Sequence, residues 1–176
     1  MRISTAKMAE LSVFTAAAFI FSYIESLIPL PLPFPGMKLG LANLVIVIVL
    51  YRQGTAAAFG VSITRNVLNA LTFGSLFGLF YSMAGSILSL AVMAWMSRGE
   101  RDKERTKKHP RLTQISVSAV GGIIHNMGQL VVASCLVGLN AMAHYLPFLY
   151  FAGMIAGILI GIMSTLCLQR LPSSKN

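Results

Sequence analysis

Polar side chains occur at helical spacing inside two strongly apolar stretches of the chain. In RNVLNAL, Arg65 and Asn69 are four residues apart, and in GGIIHNMGQL, His125 and Gln129 have the same spacing. Residues four apart share one face of a helix, so each stretch presents a polar pair to one side. A charge in the middle of a membrane costs roughly 3 kcal/mol or more, so these groups are expected to face protein or a watery cavity.

Further polar residues lie near the predicted outer ends of the first two helices. Two interpretations remain open: a hydrogen-bonded network that holds the helices together, or a pocket for a solute. The occurrence of all these polar residues in one small bundle favours a pocket that opens outward. Because the set holds two cations and one carboxylate, we expect a solute with an anionic part. The candidate substrate-binding residues are Glu25, Lys38, Asn43, Arg65, Asn66, Asn69, His125, Asn126 and Gln129.

Composition indicates that these residues belong to an integral membrane protein. Of the 176 residues, 56% are hydrophobic and 11% are charged, whereas a soluble domain carries about 25% charged residues. A helix needs about 20 apolar residues to cross the hydrocarbon core. We predict one membrane domain, residues 1–176, with spans at 8–28, 39–51, 56–73, 76–96, 115–137 and 146–168. The short second span either lies among other helices or gains depth from the segment before it.

The basic residues predict the orientation. With the N-terminus inside, six spans place twelve of the fourteen Lys and Arg in the cytoplasm, seven of them in the loop 97–113. This agrees with the positive-inside rule and predicts that both termini are cytoplasmic. The loop is expected to contact anionic lipids. Nucleic acid is not an expected partner, because the loop has no aromatic residue and three acidic residues dilute its charge.

The outer segment 29–38 joins the first two spans and is rich in proline. Prolines at alternate positions forbid a helix and favour an extended chain. A plain turn is one interpretation. The other is a stiff outer lid, in which Lys38 near the start of the second helix faces the solute. The candidate lid residues are Pro33, Pro35, Gly36 and Gly40.

Several functional classes lack their motifs in this chain. The sequence has no Walker A motif, no dinucleotide glycine fingerprint and no HExxH. Its single aspartate, Asp102, cannot build the paired motifs that hold magnesium and diphosphate in a prenyl synthase. Cys135 and Cys167 stand alone in apolar runs without metal-binding spacing. We predict no catalytic residues, no metal site and no cofactor.

Small residues at four-residue spacing predict close helix contacts. Gly153, Gly157 and Gly161 repeat in the sixth span and favour close packing against another helix. Ser12 and Ala16 in the first span have the same spacing. They are the candidate contact face for another membrane subunit.

The runs IPLPLPFPGMKLGLANLV, RNVLNALTFGS, YSMAGSILS and GGIIHNMGQLVVA closely resemble the Gx transporter family, also labelled heptaprenyl diphosphate synthase component I. That family is similar in size and topology to the substrate-binding S components of energy-coupling factor (ECF) transporters. The resemblance implies an all-α, six-transmembrane-helix bundle with both termini cytoplasmic. It also implies that the first outer loop caps a ligand site, and that a coupling membrane subunit, docked on the first helix, and two ATPases drive uptake.

Two functional hypotheses follow. In the first, the protein is a bacterial inner-membrane binding subunit of an S-component-like importer for a small organic solute, with Lys38 and Arg65 holding an anionic group. In the second, it is a non-catalytic accessory membrane subunit of isoprenoid, quinone or flavin-linked redox metabolism, with a prenyl synthase or flavoprotein as partner. Co-purification discriminates between them.

Overall fold

The computed structural model describes residues 4–27, 40–73, 76–104, 110–138 and 144–171. The regular secondary structure of these residues is helical throughout, as expected for an all-α protein. Within the described residues six helices follow one another: α1 (Thr5–Leu27), α2 (Leu41–Gln53), α3 (Thr55–Phe73), α4 (Leu76–Glu104), α5 (Pro110–Val137) and α6 (Leu146–Arg170).

Four of these helices are long and apolar enough to cross a membrane. They are α1, residues Leu76–Ser97 of α4, residues Gln114–Cys135 of α5, and α6, so the chain is a multi-pass membrane protein. The other two predicted spans, α2 and α3, are not both long and apolar enough by the same measure, for different reasons. Helix α2 has only 13 residues, and α3 carries Arg65, Asn66 and Asn69 within its 19 residues.

The distribution of polar and apolar side chains between surface and interior is inverted relative to that of a soluble protein. Large apolar side chains are exposed on the outer faces of the helices, among them Leu71 and Trp95, which are 78% and 76% exposed. Serines such as Ser22, Ser89 and Ser164 are buried between helices. An exposed apolar surface of this kind is suited to contact with lipid.

The main helix contacts form a ring. Helices α2, α3, α4, α5 and α6 each contact the next, α6 contacts α2, and α1 packs against α2 and α3. Helix α2 is apolar on all sides, and every residue from Leu44 to Leu50 is buried. Of the two interpretations of the short second span, burial among other helices is therefore confirmed.

Glycines bring α5 and α6 into direct backbone contact, as their spacing predicts. A Cβ atom at Gly153 would lie 2.6 Å from the Gly122 carbonyl oxygen, and one at Gly157 would lie 2.4 Å from the Ser118 carbonyl oxygen. No side chain fits at these distances, so the two helices can approach this closely only with glycine at the contact.

The predicted cytoplasmic loop at 97–113 is wrong in its extent. Residues 97–104 continue α4 and residues 110–113 belong to α5, with residues 105–109 outside the described part of the chain. The apolar pattern locates only the part of a helix that lies in hydrocarbon. Outside it, Arg, Lys and Glu are good helix formers, and Pro110 suits the first turn of a helix.

Candidate functional site

Helices α3 and α4 meet through a buried hydrogen-bonded cluster. Arg65 Nη2 donates to Asn66 Oδ1 at 2.6 Å and to Ser86 Oγ at 3.4 Å. Asn66 Nδ2 donates to Ser86 Oγ at 3.2 Å and to the Ser82 carbonyl oxygen at 3.4 Å. Asn66 is 1% exposed and Arg65 is 5% exposed. The cluster holds the guanidinium in place between the two helices.

On α5, His125 and Gln129 pair with each other as their spacing predicts. Gln129 Nε2 lies 3.0 Å from His125 Nε2, and both side chains are buried. Because an amide nitrogen only donates, His125 Nε2 accepts and the imidazole proton lies on Nδ1. That Nδ1 atom faces Gly85 on α4, where a Cβ atom would lie 3.0 Å from it. Glycine at position 85 therefore gives the imidazole its space.

Charged and polar groups of three helices lie within electrostatic range of one another at this site. The Glu25 carboxylate on α1 attracts the Arg65 guanidinium, and the Arg65 charge acts on His125. Glu25 Oε1 also accepts a hydrogen bond from the backbone N–H of Gly40, which precedes α2. The polar pairs of α3 and α5 thus lie within electrostatic range of each other, with a buried carboxylate from α1 beside them.

Several buried atoms of the two pairs have no hydrogen-bond partner among the described residues. They are Arg65 Nε and Asn69 Oδ1 on α3 and Gln129 Oε1 on α5, whereas His125 Nδ1 lies against the backbone of Gly85. Most buried polar groups in proteins are paired, and an unpaired one costs about 1–3 kcal/mol. These atoms lie on side chains that the sequence predicts to be substrate-binding residues.

Two predicted site residues make contacts of their own. Asn126 Nδ2 donates to the Leu149 carbonyl oxygen on α6 at 2.9 Å. Asn43 lies in the first turn of α2, its backbone N–H bonded to the Gly40 carbonyl oxygen at 2.8 Å. Asn126 therefore joins α5 to α6, while Asn43 lies beside the residue that Glu25 contacts.

Ser86 belongs to the cluster and was not predicted from the sequence. It is 6% exposed and is the residue of α4 that contacts both Arg65 and Asn66. Serine is common in apolar helices, so its type gives no indication of this role. The position of Ser86 could have indicated this role, because it lies ten residues into α4, opposite Arg65, which lies ten residues into α3.

Of the predicted lid residues, only Gly40 is described; Pro33, Pro35, Gly36 and Lys38 lie outside the described residues. Gly40 has φ +87°, in the left-handed region that favours glycine. It is buried, and its N–H is the group bonded to Glu25. The backbone therefore turns at Gly40, and the hydrogen bond to Glu25 joins the C-terminal end of α1 to the start of α2.

We expect Gly40→Ala to destabilise the protein by about 1–2 kcal/mol, the cost of a left-handed conformation for an L-residue. The added Cβ would also lie 3.0 Å from Asn43 Nδ2. Thermal unfolding in detergent measures the effect. Gly40→Asn is the matched control, because asparagine tolerates this conformation better and should lose less stability. Equal losses in the two variants would contradict the backbone explanation.

The proposed contact face on α1 is accessible. Ser12 and Ala16 are both exposed, and Ser12 Oγ donates to the Met8 carbonyl oxygen of its own helix. Among the described residues, no group of three or more His, Cys, Asp and Glu side chains could hold a metal ion.

The helical bundle and its buried polar site define a class, a small multi-pass membrane protein with the fold of a transporter S component. It is similar to the solved structure described as "Structure and mechanism of the S component of a bacterial ECF transporter", with a TM-score of 0.69 and 19% sequence identity over 93% of both chains. At that identity the likeness shows the fold alone.

Residues 14–167 match the heptaprenyl diphosphate synthase component I family, and the chain belongs to that family. No curated protein sequence matches the chain. The resemblance found in the sequence is thereby confirmed, both for the family and for the S-component-like fold.

Proposed function

We propose that this protein is the solute-binding subunit of an S-component-like importer for a small organic solute with an anionic group. The observation that carries the proposal is the set of unpaired buried atoms on Arg65, Asn69 and Gln129, within the described part of the chain. A bound solute that pairs them would recover part of their burial cost. A network that only held the helices together would be expected to satisfy its own hydrogen bonds.

In this proposal all six helices lie in the bacterial cytoplasmic membrane, with both termini and the basic segment 97–113 in the cytoplasm. The charge distribution supports this orientation. The site then lies near the bilayer midplane and opens outward, beneath the segment 29–38. Arg65 and Lys38 hold the anionic group, and the neighbouring amides and His125 orient the solute. Glu25 balances part of the Arg65 charge.

Transport needs partners in this account, because the chain has no nucleotide-binding motif. The proposed partners are a coupling membrane subunit and ATPases, with the exposed Ser12 and Ala16 of α1 as a docking face. The S-component-like fold supports this assignment.

A second candidate function is favoured by the family name. The protein would be a non-catalytic accessory membrane subunit in isoprenoid, quinone or flavin-linked redox metabolism. The single aspartate of the chain argues against magnesium diphosphate chemistry of its own.

Affinity purification from native membranes distinguishes the two candidates. We expect ATPase subunits to co-purify, and solute uptake to require them. Recovery of a prenyl synthase or flavoprotein without ATPases, together with an absence of uptake, would contradict the importer and support the accessory subunit. A Ser12→Leu/Ala16→Leu variant should lose the ATPases, whereas an Ile155→Leu variant on the exposed face of α6 should keep them.

A further inference from the structure

Buried apolar packing is concentrated in the inner half of the bundle, the half that faces the cytoplasm in the proposed orientation. Helix α2 forms its centre, with every residue from Leu44 to Leu50 buried. The other four helices of the ring contribute to the same apolar cluster: Ala58 and Val61 from α3, Leu90, Met93 and Ala94 from α4, Val117 from α5 and Ile160 from α6. Such a core excludes water, because exposing apolar surface to water is unfavourable.

The outer half of the bundle, beyond the level of Arg65, is held together differently. Its buried apolar cluster has no member from the described parts of α1, α2 and α3, and consists of Leu130, Ala133 and Leu149. Helix α3 is joined to α4 by hydrogen bonds from Arg65 and Asn66 to Ser86. The apolar barrier that includes all five helices of the ring therefore lies in the inner half, around α2.

Helix α1 contacts both ends of α2 through two carboxylates. At the inner end, Arg52 Nε donates to Glu10 Oε1 at 2.5 Å, and the two side chains are 13% and 30% exposed. At the other end, the N–H of Gly40 donates to Glu25 Oε1. Glu10 and Glu25 are fifteen residues apart, about 22 Å of helix, and Gly40 and Arg52 are twelve apart, about 18 Å. The spacings match closely enough for α1 to lie alongside α2 and bind it at each end.

We propose that α2 is a plug that closes the inner half of the bundle, and that α1 holds this plug in place through Glu10 and Glu25. This inference rests on the proposed importer function and orientation, and adds how the protein stays closed toward the cytoplasm. The proposed docking face, Ser12 and Ala16, lies on α1 between the two carboxylates. A coupling subunit that moves α1 would therefore loosen both contacts and allow the plug to shift.

Two polar contacts at the inner end of the bundle separate the plug from ordinary helix packing. The Glu10–Arg52 pair joins α1 to α2. The other contact, in which Thr165 Oγ1 donates to Gln114 Oε1 at 2.8 Å, joins α6 to α5 and does not involve α2. Loss of the first contact should release α2, and loss of the second should leave it in place.

Cysteine labelling across the inner half tests the proposal. Asn69→Cys, in a protein that also carries Cys135→Ala and Cys167→Ala, places one thiol on the outer side of the α2 cluster. A membrane-impermeant methanethiosulfonate reagent is applied to the cytoplasmic face of the purified protein in vesicles. We expect no labelling while the Glu10–Arg52 pair is intact. The same protein should label fully once unfolded in detergent, which controls for the reagent.

Glu10→Lys sets two cations against each other and should raise the labelling rate by at least about tenfold, because like charges in contact are costly. Glu10→Gln, which removes the charge without reversing it, should raise the rate less. The charge swap Glu10→Lys/Arg52→Glu should restore protection, because it restores the attraction. Thr165→Val is the matched control at the same end of the bundle and should stay protected.

Three results would overturn the inference. Labelling from the cytoplasmic face with the Glu10–Arg52 pair intact would contradict the plug. Equal labelling rates in Glu10→Lys and Thr165→Val, or a charge swap that labels as fast as Glu10→Lys, would contradict the role of α1. Labelling requires no solute, so its outcome is independent of the proposed function, which is judged by whether a solute co-purifies with the protein.

Discussion

Arg65→Ala is expected to abolish solute binding. Arg65 is the buried cation whose Nε remains unpaired among the described residues, while its Nη2 is held by Asn66 and Ser86. Removing one partner of a buried charged hydrogen bond costs about 2–5 kcal/mol, which corresponds to a loss of affinity of at least roughly 30-fold. Affinity for the solute that co-purifies with the wild-type protein is the quantity to measure.

The Arg65→Ala variant also needs a control for folding. The buried Glu25 carboxylate would lose the attraction of Arg65, and a buried charge that loses an attracting charge is less stable. In the double variant Glu25→Gln/Arg65→Ala, the new amide oxygen can still accept from the Gly40 N–H. We expect the double variant to recover stability without recovering binding. Unchanged solute affinity in Arg65→Ala would contradict the role given to this residue.

A second large effect is expected at the contact between α5 and α6. Gly157→Ala would place a Cβ atom 2.4 Å from the Ser118 carbonyl oxygen and 2.8 Å from Ala119 Cα, both of which are backbone atoms. Because neither can move without shifting its helix, the helices must separate along this contact. We expect a loss of about 1–3 kcal/mol or more in unfolding free energy, measured by thermal or denaturant unfolding in detergent.

Gly60→Ala is the matched control for that substitution. Gly60 lies within α3, and nothing lies within 4 Å of a Cβ atom built there. Alanine is favoured over glycine in a helix by about 0.5–1 kcal/mol, so this variant should be as stable as the wild type or slightly more stable. If Gly157→Ala behaved like Gly60→Ala, the close approach of α5 and α6 would be contradicted.

The elements were predictable because the physics that forms them is local. A run of about 20 apolar residues identifies a span, which located α1, α4, α5 and α6. The i,i+4 rule placed His125 and Gln129 on one face, and the structure pairs them. Helix ends were less predictable, because the charged residues 98–104 continue α4 beyond the apolar run.

Contacts between helices depend on how the helices pack, which the sequence pattern does not encode. The hydrogen bond from Gly40 to Glu25 joins residues fifteen positions apart, and the Asn66–Ser86 contact joins residues twenty apart. Asn126 was grouped with its neighbour His125, yet its amide contacts α6. Adjacent residues on a helix point about 100° apart, so a neighbour in sequence need not share a site.

The most direct test of the central claim is native mass spectrometry of the protein purified gently from its own membranes. The account predicts that the wild-type protein retains a small organic molecule with an anionic group, and that Arg65→Ala and the Glu25→Gln/Arg65→Ala double variant do not. A wild-type protein that is folded and retains no small molecule, or variants that retain the same molecule equally well, would contradict it.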